Sequence, residues 1–193
     1  RPITGPDGIA WYRKLAADAG LVIVEASGVT RFGGELTAEN LRRLVDAIHG
    51  SGALAAIQLF PLDSVRVKAD LNALSLENIG AIIGGFAQAA AVCRDAGFDA
   101  VEPHGAHGYL INKFFMPDAN RRTDEYGGSI ENRSRFAVEI VAAIKAAVGD
   151  SLAVLYRHTP EGESYTVADS LVLAEKLVGA GVNVLDVSPA MKE

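Results

Sequence analysis

Phe98-Asp99-Ala100-Val101-Glu102-Pro103-His104-Gly105-Ala106-His107-Gly108-Tyr109-Leu110 opens as an apolar strand, residues 98–104, and ends in two histidines three apart. A tyrosine follows two residues later. In a parallel α/β fold the residues at the C-terminal ends of the strands face the active site. Two imidazole N–H groups there can converge on one carbonyl or nitro oxygen and stabilise the negative charge it develops. A neighbouring phenol can deliver a proton. The same spacing also suits a metal site or a pair of satisfied structural histidines. Zinc takes three or four ligands, and no cysteine or third histidine lies close in sequence. Spacing alone leaves the paired-donor and structural readings open.

On either side of this segment, short apolar runs alternate with longer helical patterns. Strands are predicted over residues 21–26, 53–60, 98–104, 152–157 and 182–187. Helices are predicted over 8–19, 37–50, 75–96, 129–148 and 166–179. Thr37, Ser75, Ser129 and Thr166 each precede a helical pattern and are followed three residues on by Asn40, Asn78, Asn132 and Asp169, relatives of the capping box. Gly20, Gly50, Gly97 and Gly181 fall just before strands, where left-handed C-caps are expected. Near-continuous apolar strands indicate parallel strands buried on both faces, and the alternation means βαβ units. Two architectures satisfy this pattern. One is an open five-stranded doubly wound sheet, which needs nothing further; the other is part of a (β/α)₈ barrel, which typically needs about 250 residues.

Composition narrows the function classes. The 193 residues are 49% hydrophobic and 22% charged, as in an ordinary globular domain with a sizeable core. Lys and Arg number 18 against 24 Asp and Glu, a net charge of −6, which argues against a nucleic-acid partner. A single cysteine, Cys93, excludes an internal disulfide and a Cys-rich metal centre and fits a reducing, cytoplasmic compartment. No apolar run is read as approaching the roughly 20 residues of a membrane span, and no secretory leader is visible.

The stretch continues through Asn120-Arg121-Arg122-Thr123-Asp124-Glu125-Tyr126-Gly127-Gly128-Ser129. Taken alone, this is a solvated loop with turn glycines before a helix, on the side where a site would lie. Together with His104-Gly-Ala-His107-Gly-Tyr109-Leu-Ile-Asn, however, residues 98–136 closely resemble the old yellow enzyme family of FMN-dependent NAD(P)H:flavin oxidoreductases. Weaker resemblances extend to the strands that carry Ala26, Gln58, Arg157 and Asp186. The resemblance selects the partial (β/α)₈ barrel, with family strands 2–6 present and strands 1, 7 and 8 absent, as a single incomplete domain over 1–193.

The resemblance also implies roles. His104 and His107 would bond the electron-withdrawing oxygen of a small activated alkene, an α,β-unsaturated carbonyl or nitro compound. FMN, reduced by NAD(P)H, would deliver hydride to the β-carbon, and Tyr109 would protonate the α-carbon or line the pocket. Gln58 would bond the flavin pyrimidine edge. Arg157 would sit beside the N1–C2=O side, where a cation stabilises the reduced ring. Ala26 would allow close flavin approach. Taken singly, Arg157 also reads as a rim ion pair, Gln58 as a core-edge amide and Ala26 as packing.

Two local features depart from the family pattern. Gln58-Leu59-Phe60-Pro61-Leu62-Asp63-Ser64 lacks the usual His and Gly-Arg and leaves a short connection to the next helix. Pro103 replaces an aliphatic residue and predicts a strand that stops one residue early, shifting His104. Five strands cannot close a barrel, so further segments or a homo-oligomer are expected to complete it. The alternative function is a truncated or degenerate non-catalytic family member that does not bind flavin. A self-contained flavodoxin-like module ranks below both, because Ala26-Ser27-Gly28-Val29-Thr30 is a poor phosphate loop.

Overall fold

A computed structural model describes residues 2–61 and 70–189. The connection after Pro61, on which the short-loop reading falls, lies outside the described residues. Five strands, β1 (Leu21–Gly28), β2 (Leu54–Phe60), β3 (Ala100–Gly105), β4 (Ala153–His158) and β5 (Val184–Val187), form one sheet. They alternate with α1 (Pro6–Ala16), α2 (Ala38–His49), α3 (Leu76–Ala96), α5 (Ile130–Val148) and α6 (Val167–Ala180). A short helix, α4 (Leu110–Phe115), follows β3.

The strand order decides between the two architectures. All neighbouring strands are parallel, and the order is β1-β2-β3-β4-β5, the order of the chain. A doubly wound sheet reverses direction at a switch point. Here there is no reversal, and each helix packs on the next: α1 on α2, α2 on α3, α3 on α5, α5 on α6. Right-handed crossovers that always advance in one direction put every helix on one face. The result is a sheet flanked by helices, consistent with a partial (β/α)₈-like barrel.

The two faces carry different residues. The helix-facing side holds the main core, with Val24, Ile57, Leu59, Val101 and Val154 against Leu44, Ile48, Phe86, Phe136 and Ile140. The other face holds a small cluster of Ala56, Ala100 and Leu155, packed with Ile23 and Ala153. Side chains two apart share a face, so Gln58, Glu102, His104 and Arg157 follow these small residues toward the C-terminal strand ends.

Helix ends explain where strands begin. Gly97 and Gly181 adopt left-handed conformations (φ +93° and +113°) as anticipated. Phe98 N–H then donates to Cys93 O and Gly97 N–H to Arg94 O, while Val182 N–H donates to Leu177 O and Gly181 N–H to Val178 O. Residues 98 and 182 therefore close Schellman caps, and strands predicted to begin there begin two residues later. The other two glycines differ. Gly50 stays right-handed, and the left-handed turn falls on Gly52 (φ +90°). Gly20 is not among the positive-φ glycines, and α1 ends earlier, at Ala16. The N-caps hold at all four predicted positions, with reciprocal boxes at Thr37–Asn40 and Thr166–Asp169.

Helix α3 corrects the reading of apolar runs. At 21 residues it is long and apolar enough to cross a membrane by length and composition. Here it packs between α2 and α5, burying Ile79, Phe86, Ala89, Ala90 and Cys93.

Candidate functional site at the C-terminal strand ends

Pro103 does not end β3. The strand runs through it to Gly105, and Leu59 pairs with Pro103 on the β2 side. On the β4 side pairing holds at Ala100 and Val101, skips Glu102 and Pro103, and resumes in the same register at His104↔Arg157 and Gly105↔His158. The missing N–H costs a gap in one ladder, not a shift, so His104 keeps its register.

His104 and Arg157 are thus strand neighbours, one step above the pair Gln58 and Glu102. Gln58 Nε2 donates to Glu102 Oε1 at 2.7 Å. Glu102 is fully buried, its Oε2 makes no hydrogen bond, and burial pushes its carboxyl above the usual range. Burial likewise lowers the His104 imidazole to about 4, so it is neutral at ordinary pH. Its Nδ1 lies 3.4 Å from Ala106 N–H, a contact that favours the proton on Nε2. Burial, then the Arg157 charge, also lower the His107 pKa.

The loop that presents the second histidine is tight. His107 has φ +59°, the only positive φ outside glycine among the described residues, and Gly108 has φ +70°. Tyr109 N–H donates back to Ala106 O at 3.2 Å. His107 N–H donates to Thr159 Oγ1 at 3.0 Å and Gly108 N–H to Asn112 Oδ1 at 2.8 Å. Asn112 Nδ2 donates to Tyr165 Oη, which donates to Thr159 O. This buried network offsets the strain of a left-handed histidine. Gly105 is required by close approach: a Cβ there would lie 2.0 Å from Tyr156 Oη.

The two imidazole rings stand 5.1 Å apart, centroid to centroid. Tyr109, half exposed at the head of α4, meets His104 edge-on at 5.2 Å. Phe60, absent from the sequence-based site, packs edge-on against both, at 5.3 Å from His104 and 4.9 Å from Tyr109. Ser188, also missed, takes hydrogen bonds with His107 Nε2 (2.9 Å) and Arg157 Nη2 (3.0 Å). Asp186 Oδ2 lies 3.4 Å from Arg157 Nε. The structure therefore joins His104, His107, Tyr109 and Arg157 directly, and Gln58 through Glu102. Ala26 stands apart on β1, exposed, beside an irregularity in the β1–β2 register between Val24 and Ser27. Nothing in the residues' spacing announced Ser188 or Thr159, which lie 81 and 52 residues from His107.

The charged loop after α4 is mainly scaffold. Arg122 Nη1 donates to Leu71 O and Leu74 O, and its Nε and Nη2 grip Asp124. Asn120 Nδ2 bridges Phe114 O and Tyr126 O, and Tyr126 Oη donates to Glu139. A Cβ at Gly127 would strike Arg122 O at 2.0 Å. These residues lock the loop after β3 onto α5.

The donor set fits a planar heteroaromatic cofactor edge-on. Gln58 spends its amide N–H on Glu102, leaving Oε1 as an acceptor. Arg157 supplies a cation whose buried Nε makes no hydrogen bond. Among the described residues no three His, Cys, Asp or Glu side chains gather as metal ligands.

Comparisons with known proteins place the chain in a family. The model of the NADH:flavin oxidoreductase / NADH oxidase family matches residues 61–181. An NADPH dehydrogenase of Halalkalibacterium halodurans is 35% identical over 210 residues, covering 95% of this chain and 62% of the relative. The putative 12-oxophytodienoate reductase 4 of Oryza sativa subsp. japonica is 37% identical over 180 residues, covering 75% of this chain and 47% of its own length. The chain thus spans about half the length of the curated relatives it matches. The solved old yellow enzyme homologue from Zymomonas mobilis superposes with a TM-score of 0.77 at 25% identity, covering 92% of this chain and 62% of that one.

Proposed function

The chain belongs to the NADH:flavin oxidoreductase / NADH oxidase family, and from that premise we propose that it forms the catalytic arc of an FMN-dependent ene-reductase acting with NAD(P)H on small activated alkenes. The observation that carries this is the row of Gln58, His104 and Arg157 on three adjacent strands, with His107 tied to Arg157 through Ser188. When bound, FMN would supply the hydride chemistry, with NAD(P)H as the electron source. The chain's own residues do the rest. Gln58 Oε1, as an acceptor, and the Arg157 guanidinium, as a donor, would hold the pyrimidine edge of the flavin, where a fixed cation would favour negative charge. Neutral His104 and His107 would each offer one N–H to the carbonyl or nitro oxygen and so polarise the double bond. Tyr109 is within reach of solvent and of His104, and gives its proton to the α-carbon. Phe60 walls the alkene off from water.

In this reading β1–β5 occupy positions two to six of eight, and further segments or self-association close the barrel. The buried free thiol of Cys93 supports a reducing, cytoplasmic setting. The test is an FMN titration of the 193-residue chain, followed by flavin fluorescence with gel filtration alongside. NADPH oxidation with an α,β-unsaturated ketone is then assayed. Saturable flavin binding and turnover are expected, with His104→Ala and His107→Ala each lowering kcat about 100-fold. Absence of both flavin binding and turnover in a folded chain points instead to a non-catalytic family member.

A further inference from the structure

We propose that Ser188 is a positioning residue that fixes which ring nitrogen of His107 carries the proton, leaving Nδ1–H as the donor offered to the site. Arg157 Nη2 donates to Ser188 Oγ at 3.0 Å. A guanidinium has no acceptor and keeps its protons, so the direction of that bond is certain. The other partner of Oγ is His107 Nε2 at 2.9 Å. A hydroxyl has one hydrogen and two lone pairs. If His107 Nε2–H donated, Ser188 Oγ would accept twice and its own hydrogen would be left to solvent rather than to a protein acceptor. If Ser188 donates to an unprotonated Nε2, every group in the chain Arg157→Ser188→His107 is used once. The arginine bond also polarises the hydroxyl and makes it the better donor.

Both ends of the contact are pinned. Ser188 N–H donates to His158 O at 2.9 Å, and Ser188 O accepts from Thr159 Oγ1 at 3.1 Å. The same Thr159 oxygen accepts His107 N–H at 3.0 Å, holding the left-handed residue in place. One short strap past β5 thus sets both the backbone and the tautomer of His107. With His104 protonated on Nε2, the pair presents two N–H donors and no competing lone pair. The use of these donors toward a substrate oxygen rests on the ene-reductase reading. The tautomer itself does not, and its test needs neither flavin nor substrate.

The experiment is a long-range ¹H–¹⁵N correlation spectrum of the ¹⁵N-labelled full chain at mildly alkaline pH. The expected His107 pattern has a pyrrole-type Nδ1 and a pyridine-type Nε2. Ser188→Ala is expected to move Nε2 toward the pyrrole type, and Ser188→Thr to keep the wild-type pattern. His158, whose ring sits on the opposite face of β4, serves as the fold control. Should the alanine variant lose the His158 signals, Ser188→Cys, similar in size but a weak donor, gives the same readout. A wild-type His107 protonated on Nε2 overturns the proposal, as does a folded Ser188→Ala or Ser188→Cys variant with the wild-type pattern.

Discussion

Mild acid should destabilise this protein through two buried histidines before most of its carboxylates are protonated. His158 Nε2 lies 2.8 Å from Ser170 Oγ, whose hydrogen goes to Pro160 O, so Nε2 is the donor. Its Nδ1 is buried and makes no hydrogen bond. The ring is enclosed by Phe115, Tyr156 and Tyr165. Burial outweighs an opposing pull from the Gly105 backbone and lowers its pKa to about 4. In the unfolded chain it titrates near 6.5. Above that value both states are neutral and nothing is lost. As pH falls from 6.5 toward 4, the unfolded chain takes the proton and the folded protein does not, so stability drops. At pH 5 the linkage relation gives a loss of about 2 kcal/mol for this one group. His104, also lowered to about 4, adds a similar amount, a large share of a typical 5–15 kcal/mol. Glu102 works the other way, because its raised pKa means protonation relieves a buried charge as pH falls. The difference between wild type and His158→Gln isolates the histidine from that opposing term. Urea denaturation read by far-UV circular dichroism should show wild type losing about 2 kcal/mol more than His158→Gln between pH 7.5 and 5.0. Equal losses in the two proteins would refute the reasoning.

Other perturbations follow from single contacts. Gly105→Ala forces a methyl group onto Tyr156 Oη and Cζ, backed by a fully buried ring; the unfolding free energy from urea denaturation should fall by about 3 kcal/mol or the chain should fail to fold. Arg122→Ala strips Leu71 O, Leu74 O and Asp124 of their partner in a nearly buried site, and should cost about 3 kcal/mol by the same assay. Arg157→Met should weaken FMN in the titration, while the unfolding free energy from urea falls by only about 1 kcal/mol, since the side chain is one-third exposed but gives up its contacts with Ser188 and Asp186. Phe60→Ala should raise KM for the alkene more than it lowers kcat, because the ring packs on His104 and Tyr109 without bonding either.

Local chemistry in the sequence accounts for most elements. The N-caps at Thr37, Ser75, Ser129 and Thr166 mark helix starts because a hydroxyl placed before the first turn satisfies an orphan N–H wherever the chain lies. The same holds for Gly97 and Gly181. Gly50 is different, because nothing local distinguishes it from Gly52, two residues on, where the left-handed turn forms. The helix at Leu110–Phe115 has no side-chain cap hydrogen bond and was not anticipated. Pro103 warned of a broken strand, a fair inference from one chain. Only the neighbours reveal that the gap falls on one ladder and the register survives.

The sequence alone determined the alternation of helix and strand, the caps, and the histidine–tyrosine segment at a strand end, together with the family resemblance that the comparisons uphold. These are properties of residues within a few positions of one another, and periodicity and capping are local. Strand order is not: residues 21–28 and 184–187 look equally apolar in an open sheet and in a barrel arc. The family resemblance favours the arc, and the sequential pairing of β1 to β5 gives the physical distinction that periodicity cannot. The site divides the same way. His104 and His107 were legible because they are three residues apart. Glu102 beneath Gln58, Phe60 beside His104, and Ser188 between His107 and Arg157 come from segments 31 to 81 residues distant. Hydrogen bonds and ring contacts act through space, so their partners are set by how strands are laid side by side, which tertiary structure alone decides.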